Sequence, residues 1–510
     1  MMRAVHSVAV ALCLSLLASA PAAAAPASVH LTLKDAIRMA AAKNLDVKAE
    51  LYTPAAAEAT LAGNRGIYNP QLFLTTNYQD ANTLPTNLVT TGGISVSRVK
   101  TLELNAGVSK QLSSGANVGL SLDNTWEKNN YLSNSLHDYW QSALTLSVAQ
   151  PLLKNFGREA TEINISVARF AREGSLEQFK QKLIDVIAQV RTAYFTLYNL
   201  RQELVVQKTS LKLAEKILSD TRAEVKAGVL PAMEVLNAEY GLALRQRELN
   251  VAEQAVRDQE DVLRQLLQLP ESGEILPADI PSQAPYPLDE KAEIARALAE
   301  RPDLQALQTS LASNRLQTQV ARNQMLPDLT LSASAALTGL HNDFNHDLDK
   351  VGSGRYPVWQ VGLDLSYPLG NDTAKNAAIR SRLQADQIGV LMENLKGTID
   401  NDVRSAVRTV ATSYRQIDVT ARGRAYAEER LKAYIKKNAV GLATTKDVLD
   451  VENDLVAAKN AQIQALVDYA NAKTRLWQAT GELLKREGIV LNGREEMQRL
   501  YRQSAELEGN

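Results

Sequence analysis

The sequence predicts an α+β membrane protein in which strands of a transmembrane antiparallel β-barrel alternate with long α-helices of the coiled-coil kind. Three observations carry this. Several short segments alternate apolar with small polar residues at a period of two. Two long tracts place apolar residues every seventh position. The landmarks of the first half of the chain return, in the same order, in the second.

Residues 1–25 read as an export signal. Arg3 supplies the positive start, Val8 to Leu17 the apolar run, and Ala23-Ala24-Ala25 a small-residue cleavage site ahead of Pro26. The only cysteine, Cys13, lies inside that run. After cleavage no disulfide framework, Cys nucleophile, thiolate metal site or lipid-bearing cysteine is therefore expected. The chain has 56 Lys+Arg against 57 Asp+Glu, evenly scattered, for a formal net charge of -1. Such a balance offers no basic field to nucleic acid. No later stretch approaches the roughly 18 apolar residues of a spanning helix, so insertion into a membrane has to be by strands.

The repeat organises everything after the signal. Ala36-Ile37 and Asn44-Leu45-Asp46-Val47 correspond to the stretch from Ala292 to Arg301-Pro302-Asp303-Leu304, and Asn69-Pro70-Gln71-Leu72 to Leu326-Pro327-Asp328-Leu329, the prolines 257 positions apart. Gln150-Pro151-Leu152 then corresponds to Tyr367-Pro368-Leu369 at an offset of 217, and Gly228-Val229-Leu230 to Gly441-Leu442-Ala443 at 213. Residues 26–69 are thus the helix of the first repeat, 70–151 its strands, and 152–270 its long helical hairpin. Residues 271–326 are a linker and helix, 327–368 the second set of strands, 369–481 the second hairpin, and 482–510 a polar C-terminal tail. The fall in offset from 257 to 217 puts about forty extra residues among the first repeat's strands.

The strands have one oily and one wet face. Leu102, Leu104, Ala106 and Val108 alternate with Glu103, Asn105, Gly107 and Ser109, and Val118, Leu120 and Leu122 with Gly119, Ser121 and Asp123. Trp140, Leu144, Leu146 and Val148 do the same, as do Leu329, Leu331, Ala333 and Ala335, and Trp359, Val361, Leu363 and Leu365. With Tyr78, Trp126, Tyr139, Trp140, Tyr356 and Trp359 near segment ends, this is the pattern of a lipid-facing barrel with aromatic girdles. A sandwich would need one face filled with large apolar groups. The extra residues read as a hairpin, Thr101 to Leu112 and Ala116 to Glu127, turned at Ser113-Ser114-Gly115. It is either two more strands of the wall or a lid over the outer mouth; its oily face favours the wall.

The helices repeat every seven. Leu183, Val190, Leu197, Leu204, Leu211, Leu218 and Val225 lead out in the first hairpin, and Val235, Leu242, Leu249, Val256 and Leu263 lead back. In the second hairpin Val403, Val410, Ile417 and Leu431, broken by Arg424, precede Leu449, Val456, Ile463, Ala470 and Trp477. A helix from Ala374 to Val440 would run about 100 Å at 1.5 Å per residue, a length suited to crossing a compartment. Gly228 and Gly441 mark the turns, where a helix can end left-handed.

No G-x-S-x-G elbow, P-loop, H-E-x-x-H or dinucleotide fingerprint is present, so no enzyme, catalytic residue or cofactor is expected. The stretch from His341 to Asp349 spaces Asp343, Asn345, Asp347 and Asp349 like the oxygens of a Ca²⁺ loop. It lacks the sixth-position Gly and twelfth-position Glu, so a solvated extracellular turn is expected and no metal. A periplasmic scaffold without conducted substrate is the alternative function, but it leaves the oily strand faces unexplained.

The opening Leu31-Thr32-Leu33 with Ala36-Ile37, the Arg301-Pro302-Asp303-Leu304 segment, the paired strand exits at Gln150-Pro151-Leu152 and Tyr367-Pro368-Leu369, and the two glycine tips resemble the TolC-like outer membrane efflux protein family over nearly the whole exported chain. The resemblance implies a homotrimer whose strands share one barrel in outer-membrane lipid and whose hairpins form a periplasmic α-barrel. It implies partners too: a periplasmic adaptor at the tips, here Gly228, Val229, Leu230, Gly441, Leu442 and Thr444, and an inner-membrane transporter of the RND, ABC or MFS kind. It implies a ring of aspartates at the periplasmic entrance, falling on Asp447 and Asp450, and a closed-state latch that includes Glu234. The family's aromatic and basic partners for that latch are Asn438 and Ala443 in this chain.

Overall fold

A computed structural model describes residues 28–84, 93–132, 135–270, 273–489 and 493–508; the export signal read at 1–25 lies outside them. The elements run β1 (Val29–Leu31), α1 (Leu33–Lys43), α2 (Leu45–Arg65), β2 (Gln71–Thr83), β3 (Ser97–Gln111), β4 (Asn117–Asn129), β5 (Asp138–Pro151), α3 (Arg158–Thr161), α4 (Ile163–Lys226) and α5 (Met233–Leu267). Then come β6 (Ile275–Pro277), α6 (Glu290–Glu300), α7 (Pro302–Asn323), β7 (Asp328–His341), α8 (Phe344–Gly352), β8 (Pro357–Ser366), α9 (Asp372–Ala439), α10 (Thr445–Thr480), α11 (Leu483–Arg486) and α12 (Gly493–Glu508). The described residues divide into two compact units, one drawn from 1–47, 183–293 and 403–488, the other from 48–182, 294–402 and 489–510.

The second unit holds a six-stranded antiparallel sheet in the order β2-β3-β4-β5-β7-β8. Residues directly opposite in an antiparallel ladder share a face, so the register extends the alternation of single strands across the sheet. Leu72, Val108, Leu120, Leu146, Ala335 and Trp359 form one continuous row, and Leu74, Ala106, Leu122, Leu144, Leu337 and Pro357 the next. Toward the loop end, Tyr78, Leu102, Trp126 and Trp140 line up as an aromatic row. The charged row Asp80, Lys100, Lys128 and Asp138 lies beyond it, paired at 3.2 Å and 2.9 Å. Tyr139 instead shares the polar face with Glu127, so the girdle is carried by fewer aromatics than the sequence suggests. Helices of this unit bury Leu61 with Ile165 and Ala168, and Met497 of α12 is buried.

The stretch after β7 is not the solvated turn expected from sequence. It forms α8, capped by Asp343, whose carboxylate accepts from the Asn345 and His346 N–H groups at 3.1 and 3.2 Å. The helix folds back over the oily face: Phe344 packs on Trp140 with ring centroids 4.7 Å apart, and a Cβ on Gly339 would fall 2.4 Å from Asp347 Oδ1. Alanine is therefore excluded at Gly339 by backbone and carboxylate, whatever its φ. Beneath α8, Ser142 is fully buried and Asn124 nearly so. The regularly spaced oxygens do not converge, because Asp343 caps the helix while Asp347 points inward.

The first unit holds a two-stranded sheet and the hairpin tips. β1 and β6 pair in parallel, and Tyr194 bridges beside them, donating to Leu31 O at 2.9 Å and accepting from the Asp279 N–H at 3.0 Å. Burial pushes its pKa up to about 12. Leu183, Val190 and Leu197 are buried as their seven-residue spacing predicts, as are Val256 and Leu263. In the first turns of α10 the buried apolar positions are instead Val448, Val451 and Leu455, clustered with Leu431 and flanked by Leu213 and Ile217, while further along Ala470 of the expected seam is buried. Leu449 packs at Gly241, where a Cβ would come within 2.8 Å of it. The C-terminal segment is not simply a polar tail, since α11 buries Leu483 and Leu484.

Candidate functional site

The two outgoing helices, α4 and α9, end in the same way. The Val229 N–H donates back to Glu224 O and the Gly228 N–H to Val225 O, at 2.9 and 3.0 Å; the Leu442 and Gly441 N–H groups repeat this on Lys437 O and Asn438 O, both at 2.9 Å. Both are Schellman caps with glycine left-handed, φ +78° at Gly228 and +71° at Gly441. Open space surrounds either glycine, so backbone conformation and not crowding demands the residue there. The caps leave apolar side chains in water: Val229 is 72% exposed, Leu442 76% and Val440 69%, while Leu230 is half-buried.

The return helices begin differently. Thr444 caps α10 in a reciprocal box, its hydroxyl oxygen accepting from the Asp447 N–H at 3.1 Å while Asp447 Oδ2 accepts from the Thr444 N–H at 2.8 Å. Those hydrogen bonds from Thr444, backbone first, hold the Asp447 carboxyl below the usual carboxylate range. Asp450 lies one turn further and is exposed. Residues at i and i+3 are neighbours on a helix surface, so the two expected entrance carboxylates come together, although Asp447 also has a structural task. At α5, Ala232 offers no side-chain cap, and Met233, Leu236 and Tyr240 are exposed.

Glu234 sits in the first turn of α5 with Oε2 enclosed and without a hydrogen-bond partner. Asn438 Nδ2 donates to Ala443 O at 2.9 Å. The two positions where the family's latch partners would stand are thus spent closing the second tip's own turn.

A different link joins the hairpins. Arg245 of α5 donates to Glu452 and Asn453 of α10, and the Ser210 hydroxyl of α4 donates to the same Glu452. Arg245 and Glu452 are each only 4% exposed. The sequence alone does not single out this group. The available signal was a charged residue three positions after a seam residue, at Leu242 to Arg245 and at Leu449 to Glu452, where a solvated flank is the ordinary reading. Only the fold brings residues 207 apart in sequence together.

The sequence profile described as outer membrane efflux protein matches residues 36–268 and 294–482, one segment in each repeat. The chain is 25% identical over 331 residues to the outer membrane efflux protein BepC of Brucella suis, spanning 63% of this chain and 69% of that protein. It is 27% identical over 360 residues to the alkaline protease secretion protein AprF of Pseudomonas aeruginosa, spanning 66% and 69%. Among solved structures, the CmeC outer membrane channel of Campylobacter jejuni superposes with a TM-score of 0.66 at 15% identity, over 92% of this chain and 89% of that one. With both repeats matched and the sheet and hairpins in the expected order, the chain belongs to the outer membrane efflux protein family.

Proposed function

We infer that the chain is the exit duct of a tripartite assembly, taking substrate from an inner-membrane transporter through a periplasmic adaptor and releasing it outside the cell. The chain is an outer-membrane channel reaching into the periplasm, as its family and its efflux and secretion relatives establish. The observation that carries the reading is the oily sheet face, continuous over six strands and built into the same chain as two glycine-turned hairpins. A scaffold confined to the periplasm has no use for such a face.

Three copies would close the barrel through the outer edges of β2 and β8, which have no strand neighbour within the described chain. The tips around Gly228 to Leu230 and Gly441 to Thr444 would seat the adaptor, because apolar groups stand there at the ends of otherwise charged hairpins. Asp447 and Asp450, repeated about a threefold axis, would ring the entrance and favour cations. Glu234 keeps a place in the closed state only by facing a neighbouring copy. The transporter belongs to the RND, ABC or MFS kind.

Membrane fractionation and export assays in a strain lacking the gene test this. The expected result is a protein extracted from outer membranes only by detergent, migrating as a heat-modifiable trimer, whose loss abolishes export. Free solubility in a periplasmic extract would overturn it.

A further inference from the structure

We propose that the β3–β4 hairpin is a transmembrane wall segment that raises each copy's contribution to the barrel to six strands, giving eighteen in a trimer and a wider lumen. The inference rests on the trimeric channel described above and adds the strand count, the diameter and the lining.

The hairpin is stitched into the sheet on both sides. β3 pairs with β2 from Gln71–Ser109 to Thr83–Ser97, and β4 pairs with β5 from Asn117–Ala149 to Lys128–Asp138. Close packing fixes these neighbours. A Cβ on Gly107 would fall 2.5 Å from the Phe73 ring of β2, and one on Gly119 3.0 Å from Ser147 Oγ of β5. An aromatic laid over a strand glycine is a device that pins register.

Its two faces divide as a membrane wall requires. On β3 the oily face runs uncharged from Leu102 through Val108, bracketed by Lys100 and Lys110. The two lysines stand ten positions apart, which at about 3.4 Å per residue is about 34 Å along the strand, or about 26 Å in height at a tilt of roughly 40°, against an apolar band of about 25 Å in outer-membrane barrels. The one amide on this face of β4 is satisfied within the protein. Asn124 Nδ2 donates to Leu104 O at 3.0 Å, and Asn124 Oδ1 accepts from Ser142 Oγ at 2.8 Å. α8 covers this polar row, which lies just inside the Leu102–Trp126–Trp140 row. A lid standing in water would have no reason to spend its polar groups inward and leave Leu120 and Val108 exposed.

The opposite face carries Glu103, Asp123 and Glu127 among Ser, Thr, Asn and Gly, and the register adds no Lys or Arg to that face of any of the six strands. Diameter grows roughly linearly with strand number, so eighteen strands give a bore about 1.5 times that of twelve. The added wall is acidic on the inside.

Paired cysteines decide it, since the chain's only native cysteine is Cys13. In outer-membrane trimers, Leu74→Cys with Ala106→Cys should crosslink under oxidation, and Leu74→Cys with Leu144→Cys should not, because three strand spacings are about 14 Å. If the hairpin stood outside the wall, β2 would lie beside β5, the second pair would crosslink, and the proposal would fall. A spin label at Leu120→Cys, where a bulky group faces lipid without disturbing the ladder, gives a folding-independent check. It should answer to oxygen in the lipid phase and not to an aqueous nickel chelate; the reverse also overturns the proposal. Glu103→Gln with Asp123→Asn and Glu127→Gln should lower the cation-to-anion permeability ratio in planar bilayers, and an unchanged ratio removes these carboxylates from the lumen. A chain that never reaches the outer membrane or never trimerises would instead count against the exit-duct reading.

Discussion

The two hairpin tips leave their outgoing helices by the same hydrogen bonds and enter their return helices by different ones. Both use a left-handed glycine in a Schellman cap. The second then starts α10 with the Thr444–Asp447 box, whereas the first starts α5 without a side-chain cap and with Met233, Leu236 and Tyr240 in water. A duplicated unit has therefore kept the device that ends a helix, which backbone geometry dictates. It has diverged in the device that begins one, where any of several side chains or a partner's surface can satisfy the free N–H groups. The first tip offers apolar surface, and the second offers a fixed turn followed by carboxylates.

Charging both apolar tips is expected to have the largest effect. Leu230→Asp combined with Leu442→Asp should abolish export while trimers still insert, as read by substrate accumulation and heat-modifiable migration; undiminished export would remove the tips from adaptor docking. Arg245→Ala comes next, since it strands Glu452 in the interior. Breaking one side of a buried pair costs about 3–5 kcal/mol, so chemical denaturation should show a loss of that size in the hairpin unit. A loss below about 1 kcal/mol would mean that water reaches the site.

Smaller effects separate the tips. Thr444→Ala should cost about 1 kcal/mol, the usual worth of an N-cap, and should raise hydrogen exchange in the first turn of α10 alone, leaving α5 unchanged. Acid should loosen the same turn late. A carboxyl held below its ordinary range contributes in full above its unfolded pKa and loses that contribution as pH falls through the lower folded value. Exchange at Asp447 should thus stay slow through mildly acidic pH and rise only in stronger acid, as pH-stepped hydrogen exchange can record. Last, Asp447→Ala with Asp450→Ala should reduce cation selectivity and weaken block by trivalent cations in planar bilayers. Selectivity and block equal to those of the unmodified channel would place both carboxylates on the outer, solvated face.

Much of the molecule is written locally and was legible from sequence. Period-two alternation, the seven-residue beat, the glycine turns and the duplicated proline landmarks each follow from interactions within a few residues, and they yielded the strands, the hairpins and the family resemblance. The tip glycines were legible for the same reason, because Gly228 and Gly441 are local signals; Asp447 and Asp450 were singled out only through the family resemblance, and the Thr444–Asp447 cap was not read from sequence. Tertiary structure alone decided the rest. It selected Val448, Val451 and Leu455 over Leu449 and Val456 as the buried edge of α10, since which flank of a heptad is covered depends on the helices beside it. It turned a polar, oxygen-rich segment into α8, because Phe344 found cover on Trp140 of a strand far away in sequence and Val351 on Gly339 of the strand just before it. It drew Arg245, Glu452 and Ser210 into one buried group whose members, read singly, look like solvated charges and a spare hydroxyl. Local sequence sets what each segment can form; which charges lose their water is set by segments arriving from elsewhere in the chain.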